Sequence, residues 1–290
     1  MFHGALSALV TPFRDGAIDE KALRELVEWQ IQSGVDGLVP CGSTGESATL
    51  SHAEHEQVIK VVIDQARQRV PVVAGTGSNS TAEAIRLTAY AREAGADGAL
   101  LISPYYNKPT QDGIYRHYKA VASAVDLPLV VYNIPGRTGS NIAPETFARM
   151  CEIRNIAGVK EASGSMDQCA DILKHCGERL TLLAGDDSLT LPLMAMGAKG
   201  VIAVITNVMP REMHELATAG LDGDFARARE LHFRMLPVMR ALFLETNPIP
   251  IKQACALMGK CANEVRMPLM PMTSPAAEKL RAAMKDAGLI

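Results

Sequence analysis

A four-residue joint recurs along this 290-residue chain. Gly34-Val35-Asp36-Gly37, Gly95-Ala96-Asp97-Gly98 and Gly197-Ala198-Lys199-Gly200 each lie between a helical pattern and a short apolar run. The first glycine suits the left-handed end of a helix, the second a tight entry into a strand. Val70-Pro71-Val72 and Leu127-Pro128-Leu129 introduce two further apolar runs in a shared way. A joint used repeatedly implies one βα unit used repeatedly. Candidate strands are Ala5–Val10, Gly37–Cys41, Val72–Gly75, Ala99–Ser103, Leu129–Tyr132, Ile156–Lys160, Leu180–Ala184 and Val201–Val204. Eight such units in about 205 residues predict an α/β chain folded as a (β/α)8 TIM barrel. A doubly wound open sheet is the alternative, but it usually has fewer units and a glycine-rich nucleotide loop. Neither G-x-G-x-x-G nor a Walker sequence occurs.

The segments between the strands read as helices. Leu23, Leu26, Val27 and Ile31 share one face of the first. Ser51 to Glu54 and Ser80 to Glu83 are capping-box openings, and Pro144 sits where a helix tolerates proline. Strand signals stop after about Asn207. Phe225–Leu244, Ile251–Gly259 and Ser274–Ala287 look helical, with Pro248 and Pro250 breaking the chain between the first two. The expected division is a barrel over residues 1–224 and a C-terminal helical region, 225–290, packed on it.

Composition narrows the function classes. Hydrophobic residues at 48% and charged residues at 21% describe a soluble globular protein. The net charge of −3, without a long basic or acidic block, argues against nucleic-acid or membrane-surface binding. No run of 18 apolar residues is present, and residues 1–6 read as no signal peptide. The six cysteines form no C-x-x-C pair and fit small core residues of a reducing compartment, so a cytoplasmic location is expected.

The chemistry centres on Ile156-Ala157-Gly158-Val159-Lys160, a buried strand that ends on a lysine. Burying an ammonium is costly. Either a carboxylate pairs with it, or its pKa falls until the neutral amine can attack a carbonyl and form a Schiff base. In a barrel of this kind the active site lies at the C-terminal ends of the strands. There the second strand leads into Gly42-Ser43-Thr44-Gly45-Glu46, either an ordinary capped turn or a loop whose N–H groups and hydroxyls hold a carboxylate. The fourth leads into Tyr105-Tyr106, which read as packing or interface residues or as catalysts. The fifth ends on Tyr132, followed by Asn133-Ile134-Pro135-Gly136-Arg137-Thr138-Gly139. Tyr132 is a core residue with a satisfied hydroxyl or, beside a neutral lysine, a proton shuttle. Tyr132 and Lys160 stand about one βα unit apart, which places them at equivalent positions on neighbouring strands. His52-x-x-His55 is the one candidate metal pair, and a solvated helix face explains it more simply.

Taken in order, these motifs resemble the dihydrodipicolinate synthase / N-acetylneuraminate lyase family of Schiff-base aldolases. The resemblance runs from Ala8-Leu9-Val10-Thr11-Pro12-Phe13 to the C-terminal helices. Arg137 and Glu245-Thr246-Asn247-Pro248-Ile249-Pro250-Ile251-Lys252 favour the synthase branch, while Ser43 stands where many synthases have threonine. The resemblance implies condensation of pyruvate with L-aspartate 4-semialdehyde to 4-hydroxy-tetrahydrodipicolinate, with no cofactor and no metal. Lys160 would form the imine, and Tyr132, Thr44 and Tyr106 would relay protons, Tyr106 reaching in from a neighbouring subunit. Ser43 and Thr44 would hold pyruvate's carboxylate and Arg137 that of the aldehyde, with Gly185 and Ile202 completing the substrate site. A homotetramer, a dimer of dimers, is implied. So is an L-lysine effector site at Ser47, Ala48, His52, His55, Asn79, Glu83 and Tyr105. The rival readings are a pyruvate-dependent aldolase acting on a sialic or 2-keto-3-deoxy sugar acid, a metal-dependent aldolase, and a non-catalytic small-molecule sensor.

Overall fold

The structure, a computed structural model, describes residues 2–290. Eight strands form the expected barrel: β1 (Gly4–Ala8), β2 (Gly37–Val39), β3 (Val73–Gly75), β4 (Gly98–Ile102), β5 (Leu129–Asn133), β6 (Ile156–Glu161), β7 (Thr181–Ala184) and β8 (Gly200–Ala203). Each lies within two residues of its expected ends. All pairings are parallel, in the order β2-β1-β8-β7-β6-β5-β4-β3, and a bridge between Leu38 and Val72 joins the two ends. Both faces of each strand are covered, which is why the strands read as apolar runs rather than as alternation. Leu6, Val39, Val73, Val130, Leu183 and Ile202 fill the interior, and a larger apolar layer lies between strands and helices.

The recurring joints are built as the sequence suggested, with one addition. Gly34 (φ +93°) and Gly95 (φ +96°) take the left-handed conformation at helix ends. A side chain on Gly200 would place its Cβ 2.0 Å from the carbonyl oxygen of Gly4. The aspartates of the first two joints each pin a strand entry. Asp36 accepts the N–H of Ala5 and Asp97 that of Val72, both at 2.8 Å. In the third joint lysine replaces aspartate, and the Lys199 backbone carbonyl takes the N–H of Gly4 instead (2.8 Å).

Several details depart from the sequence reading. A hairpin of two-residue strands, Phe13–Arg14 and Ala17–Ile18, follows β1, too short to show any alternation. The helix Pro210–Leu221 follows β8 and opens on proline without a Ser-x-x-Glu signal. In the C-terminal region the helices are Phe225–Ala241, Ile249–Leu257 and Ser274–Asp286. Pro250 therefore lies in a helical first turn, where its missing N–H costs nothing, and is not a break. Ser51 and Glu54 form the expected capping box, but Ser80 makes no side-chain cap.

Candidate active site

Tyr132 and Lys160 are direct register partners on β5 and β6. Lys160 is 5% exposed, and its Nζ lies 4.4 Å from the centre of the Tyr132 ring. Burial pulls the Lys160 ammonium down to about 8. The charges of Asp187 and Asp186 resist that shift through space, and Arg137 adds to it. The ion-pair explanation of this lysine thus gives way to a desolvated amine, neutral in a usable fraction of molecules near physiological pH. Asp187 is itself held in place: its carboxylate accepts the N–H groups of Val204 (3.0 Å) and Ile205 (2.7 Å) just beyond β8. Burial nonetheless raises it to about 6, and raises Asp186 as well.

The loop after β2 folds on itself. Gly45 and Ser47 N–H bond to the Gly42 carbonyl, and Glu46 N–H to that of Ser43. Among the described residues, neither Ser43 nor Thr44 gives its N–H to a backbone carbonyl, so both are free for an anion. The two hydroxyls have separate partners. Burial pushes the Tyr132 phenol strongly up, and the Arg137 charge and the nearby Ser43 hydroxyl moderate that push. Thr44 Oγ1 instead accepts from Asn247 Nδ2 at 3.0 Å. Of the two hydroxyls, that of Ser43 acts on the Tyr132 phenol and that of Thr44 is held by Asn247.

Asn247 is the main site residue that sequence reasoning missed. Its backbone carbonyl accepts from Arg137 Nη2 (2.8 Å), so it ties the arginine to the loop after β2. Its Oδ1 is buried and has no hydrogen-bond partner among the described residues. The signal was present in Asn247-Pro248-Ile249-Pro250, but nothing local says that this segment folds back over the barrel mouth.

Ser43, Thr44, Tyr132, Arg137, Lys160 and Gly185 share one cavity wall. Gly185 is there by necessity, since a Cβ would come within 2.5 Å of the Ala162 side chain. Ile202 is fully buried in the interior cluster that also holds Ala8, Val39 and Tyr132, directly below the cavity wall that Val204 joins. Tyr106 is not brought to Lys160 within the chain. Its side chain is 87% exposed and its backbone left-handed (φ +70°), a conformation unfavourable for so bulky a residue.

A second, larger cavity of about 530 Å³ runs from Tyr132, Arg137 and Asn247 to the expected effector residues. Ser47, Ala48, His52, His55, Glu83 and Tyr105 line it, and Asn79 stands behind, bonding the Tyr105 carbonyl at 3.1 Å. Glu83 closes no capping box; its carboxylate accepts from Ser78 and pairs with His52 Nε2 (2.8 Å). His55 is buried and donates from Nε2 to the Gly75 carbonyl (2.7 Å), and burial lowers its pKa. The two imidazoles thus turn to different partners rather than converging as metal ligands.

Residues 1–287 match the dihydrodipicolinate synthetase family. The chain belongs to this family. It is 57% identical over the full length of both chains to a 4-hydroxy-tetrahydrodipicolinate synthase of Syntrophus aciditrophicus. Among solved structures, it superimposes on the chloride-inhibited dihydrodipicolinate synthase of Acinetobacter baumannii complexed with pyruvate (TM-score 0.99, 45% identity, all of both chains). It also superimposes on the lysine-bound enzyme of Cyanidioschyzon merolae (TM-score 0.97, 40% identity, 100% and 99% of the two chains). The desolvated lysine at the end of β6 and the anion-ready loop after β2 come from non-adjacent strands and meet on one cavity wall. No helix among the described residues is long and apolar enough to cross a membrane.

Proposed function

We propose that this protein is a 4-hydroxy-tetrahydrodipicolinate synthase, an amino-acid-biosynthetic lyase that condenses pyruvate with L-aspartate 4-semialdehyde. The observation that carries the assignment is the buried Lys160 amine beside Tyr132, which burial holds well below the usual lysine range despite the charges of Asp187 and Asp186. The amine attacks the 2-oxo carbon of pyruvate and water leaves, giving an imine. Loss of a methyl proton turns the imine into an enamine, whose carbon attacks the aldehyde. Closure of the ring by the aldehyde substrate's own amino group then releases Lys160. Ser43 and Thr44 N–H groups hold pyruvate's carboxylate, and Arg137 grips that of the aldehyde in a two-pronged contact. The unpaired Oδ1 of Asn247 is an acceptor of the kind an α-ammonium needs.

Tyr132 carries protons between the reacting atoms and Ser43, which takes the part expected of Thr44. The outward Tyr106 completes the relay from a neighbouring subunit of a homotetramer. L-Lysine is the effector: Glu83 receives its side-chain ammonium, Asn79 and Tyr105 receive its carboxylate end, and His52 and His55 pack along its stem. A cytoplasmic location suits six free cysteines, five of them buried.

The test is chemical trapping. The protein is incubated with pyruvate and borohydride, digested, and the reduced adduct located by mass; pyruvate consumption is then followed with aspartate semialdehyde and with sugar-derived aldehydes. An adduct on Lys160 with turnover of aspartate semialdehyde is expected. An adduct on another lysine, or turnover only with sugar aldehydes, overturns the assignment.

A further inference from the structure

Behind the loop that faces the Lys160 cavity lies an ion pair with no part in the scheme above. Lys252 Nζ stands 2.9 Å from Glu46 Oε1, with the two side chains 0% and 1% exposed. The second carboxylate oxygen of Glu46 accepts the backbone N–H of Arg266 (3.0 Å). Lys252 also donates to the Glu264 carbonyl (2.8 Å) and lies 4.3 Å from the centre of the Phe13 ring. The Arg266 guanidinium then spans Glu54 and the carbonyls of Thr49 and Gly16. Glu46 is the last residue of the loop and is left-handed (φ +55°), as is Cys41 (φ +56°) at the loop's start. A left-handed glutamate persists only where its surroundings impose it. On the other side of the turn, Thr11 donates to the Gly45 carbonyl (2.7 Å). The loop is therefore clamped at Gly45 and Glu46, immediately beside the Ser43 and Thr44 N–H groups.

A buried ion pair is a poor source of stability, because desolvating both charges offsets their attraction. It is a strong source of position, since either charge left alone would be severely penalised. Charge balance matters here too, because a carboxylate with no cation beside it, two residues from an anion site, would repel the anion. We propose that Glu46 and Lys252 are positioning residues for pyruvate, holding the Ser43 and Thr44 N–H groups in place and cancelling a negative charge next to the pyruvate carboxylate. The inference rests on the reading of Lys160 as the imine-forming residue.

The experiment compares half-saturating pyruvate in the borohydride-trapping assay, and the KM of each substrate, for the parent, Lys252→Met, Glu46→Gln/Lys252→Met and Glu46→Asp. Lys252→Met should raise half-saturating pyruvate by roughly tenfold or more, since an ångström-scale misplacement can cost on the order of 10²-fold. The KM for the aldehyde should stay within about twofold, because Arg137 is untouched. The neutral double variant should recover most of the loss. Glu46→Asp keeps both charges and shortens the strut by one methylene, so it should still weaken pyruvate severalfold even if Lys252→Met does not fold. Parent-like pyruvate binding in either single variant overturns the proposal, as does a double variant no better than Lys252→Met. A fall in kcat with both KM values unchanged would mean a purely structural pair and would also overturn it. Absence of any adduct in the parent is a different failure, that of the Lys160 assignment itself.

Discussion

Asn247 donates its side-chain N–H to Thr44 Oγ1 across 203 residues of sequence, while its backbone carbonyl takes a hydrogen bond from Arg137. One residue of the C-terminal region thus joins the Gly42–Glu46 loop to Arg137 across the cavity mouth. That region is part of the site, not a cover laid over a finished barrel.

Replacing Asn247 by alanine removes the Thr44 donor and the unpaired Oδ1 but leaves the carbonyl that holds Arg137. A loss of about 1–2 kcal/mol, roughly tenfold in kcat/KM, is expected. It should fall more heavily on the aldehyde than on pyruvate. Steady-state kinetics with each substrate varied in turn measure this, and an unchanged aldehyde term removes Asn247 from the substrate site.

Lys160 titrates near 10.5 when unfolded and near 8 when folded. Below pH 8 the folded state therefore carries the cost of a buried ammonium, on the order of 3 kcal/mol. The cost shrinks as pH rises from 8 to 10.5 and is absent above that. Lys160→Met should accordingly unfold at a higher temperature than the parent at pH 7, with the gain vanishing near pH 10.5, while losing all turnover. Scanning calorimetry across that range decides it. In the parent, the rate of imine formation should climb through pH 8.

The two hydroxyls of the Gly42–Glu46 loop should behave differently. Ser43→Ala breaks the contact with Tyr132 and should slow turnover by about 10²-fold, the contribution of a single proton-transfer group. Thr44→Val should cost about tenfold or less, through the lost Asn247 bond. Reversal of this order in kcat would return the relay to Thr44.

Arg137→Ala should lose roughly 2–4 kcal/mol in kcat/KM for aspartate semialdehyde, as expected when a charged hydrogen-bonding partner is removed. Pyruvate adduct formation should survive much better. Equal consumption of aspartate semialdehyde by variant and parent would show that the carboxylate is held elsewhere.

For the effector cluster, calorimetric titration with L-lysine should give binding in the parent and none in Glu83→Ala, with partial inhibition of initial rates in the parent only. A coupling of about 1–3 kcal/mol between effector and substrate is typical. No heat and no inhibition at millimolar lysine would reduce the seven residues to surface structure.

The barrel was legible because its signal is local and repeated: apolar runs, glycine-bounded joints and proline-led strand entries survive without knowledge of the fold. Lys160 and Tyr132 were legible for the same reason, since a fixed βα spacing puts equivalent strand ends side by side. Pairings across long stretches of sequence were not. Nothing near Glu46 announces Lys252 or Arg266, and a helix cap was the local explanation for Glu83 until the fold brought His52 to it. The separate surroundings of Ser43, near Tyr132, and Thr44, bound to Asn247, depend on which way two adjacent side chains point, which a motif does not encode.

The clamp on Glu46 also sets an order on synthesis. Its bond from Arg266 spans 220 residues, a distance the ribosome covers in roughly 10–40 s. Once β8 is made but before that stretch emerges, the chain has all eight strands but a Glu46 carboxylate that neither Lys252 nor Arg266 yet meets. The residues that supply the clamp, Lys252 and Arg266, follow the eighth strand by about 50 residues or more. Completion of the eighth strand therefore leaves Glu46 without its partners, and the loop beside Ser43 and Thr44 gains its clamp only when Lys252 and Arg266 fold back onto it.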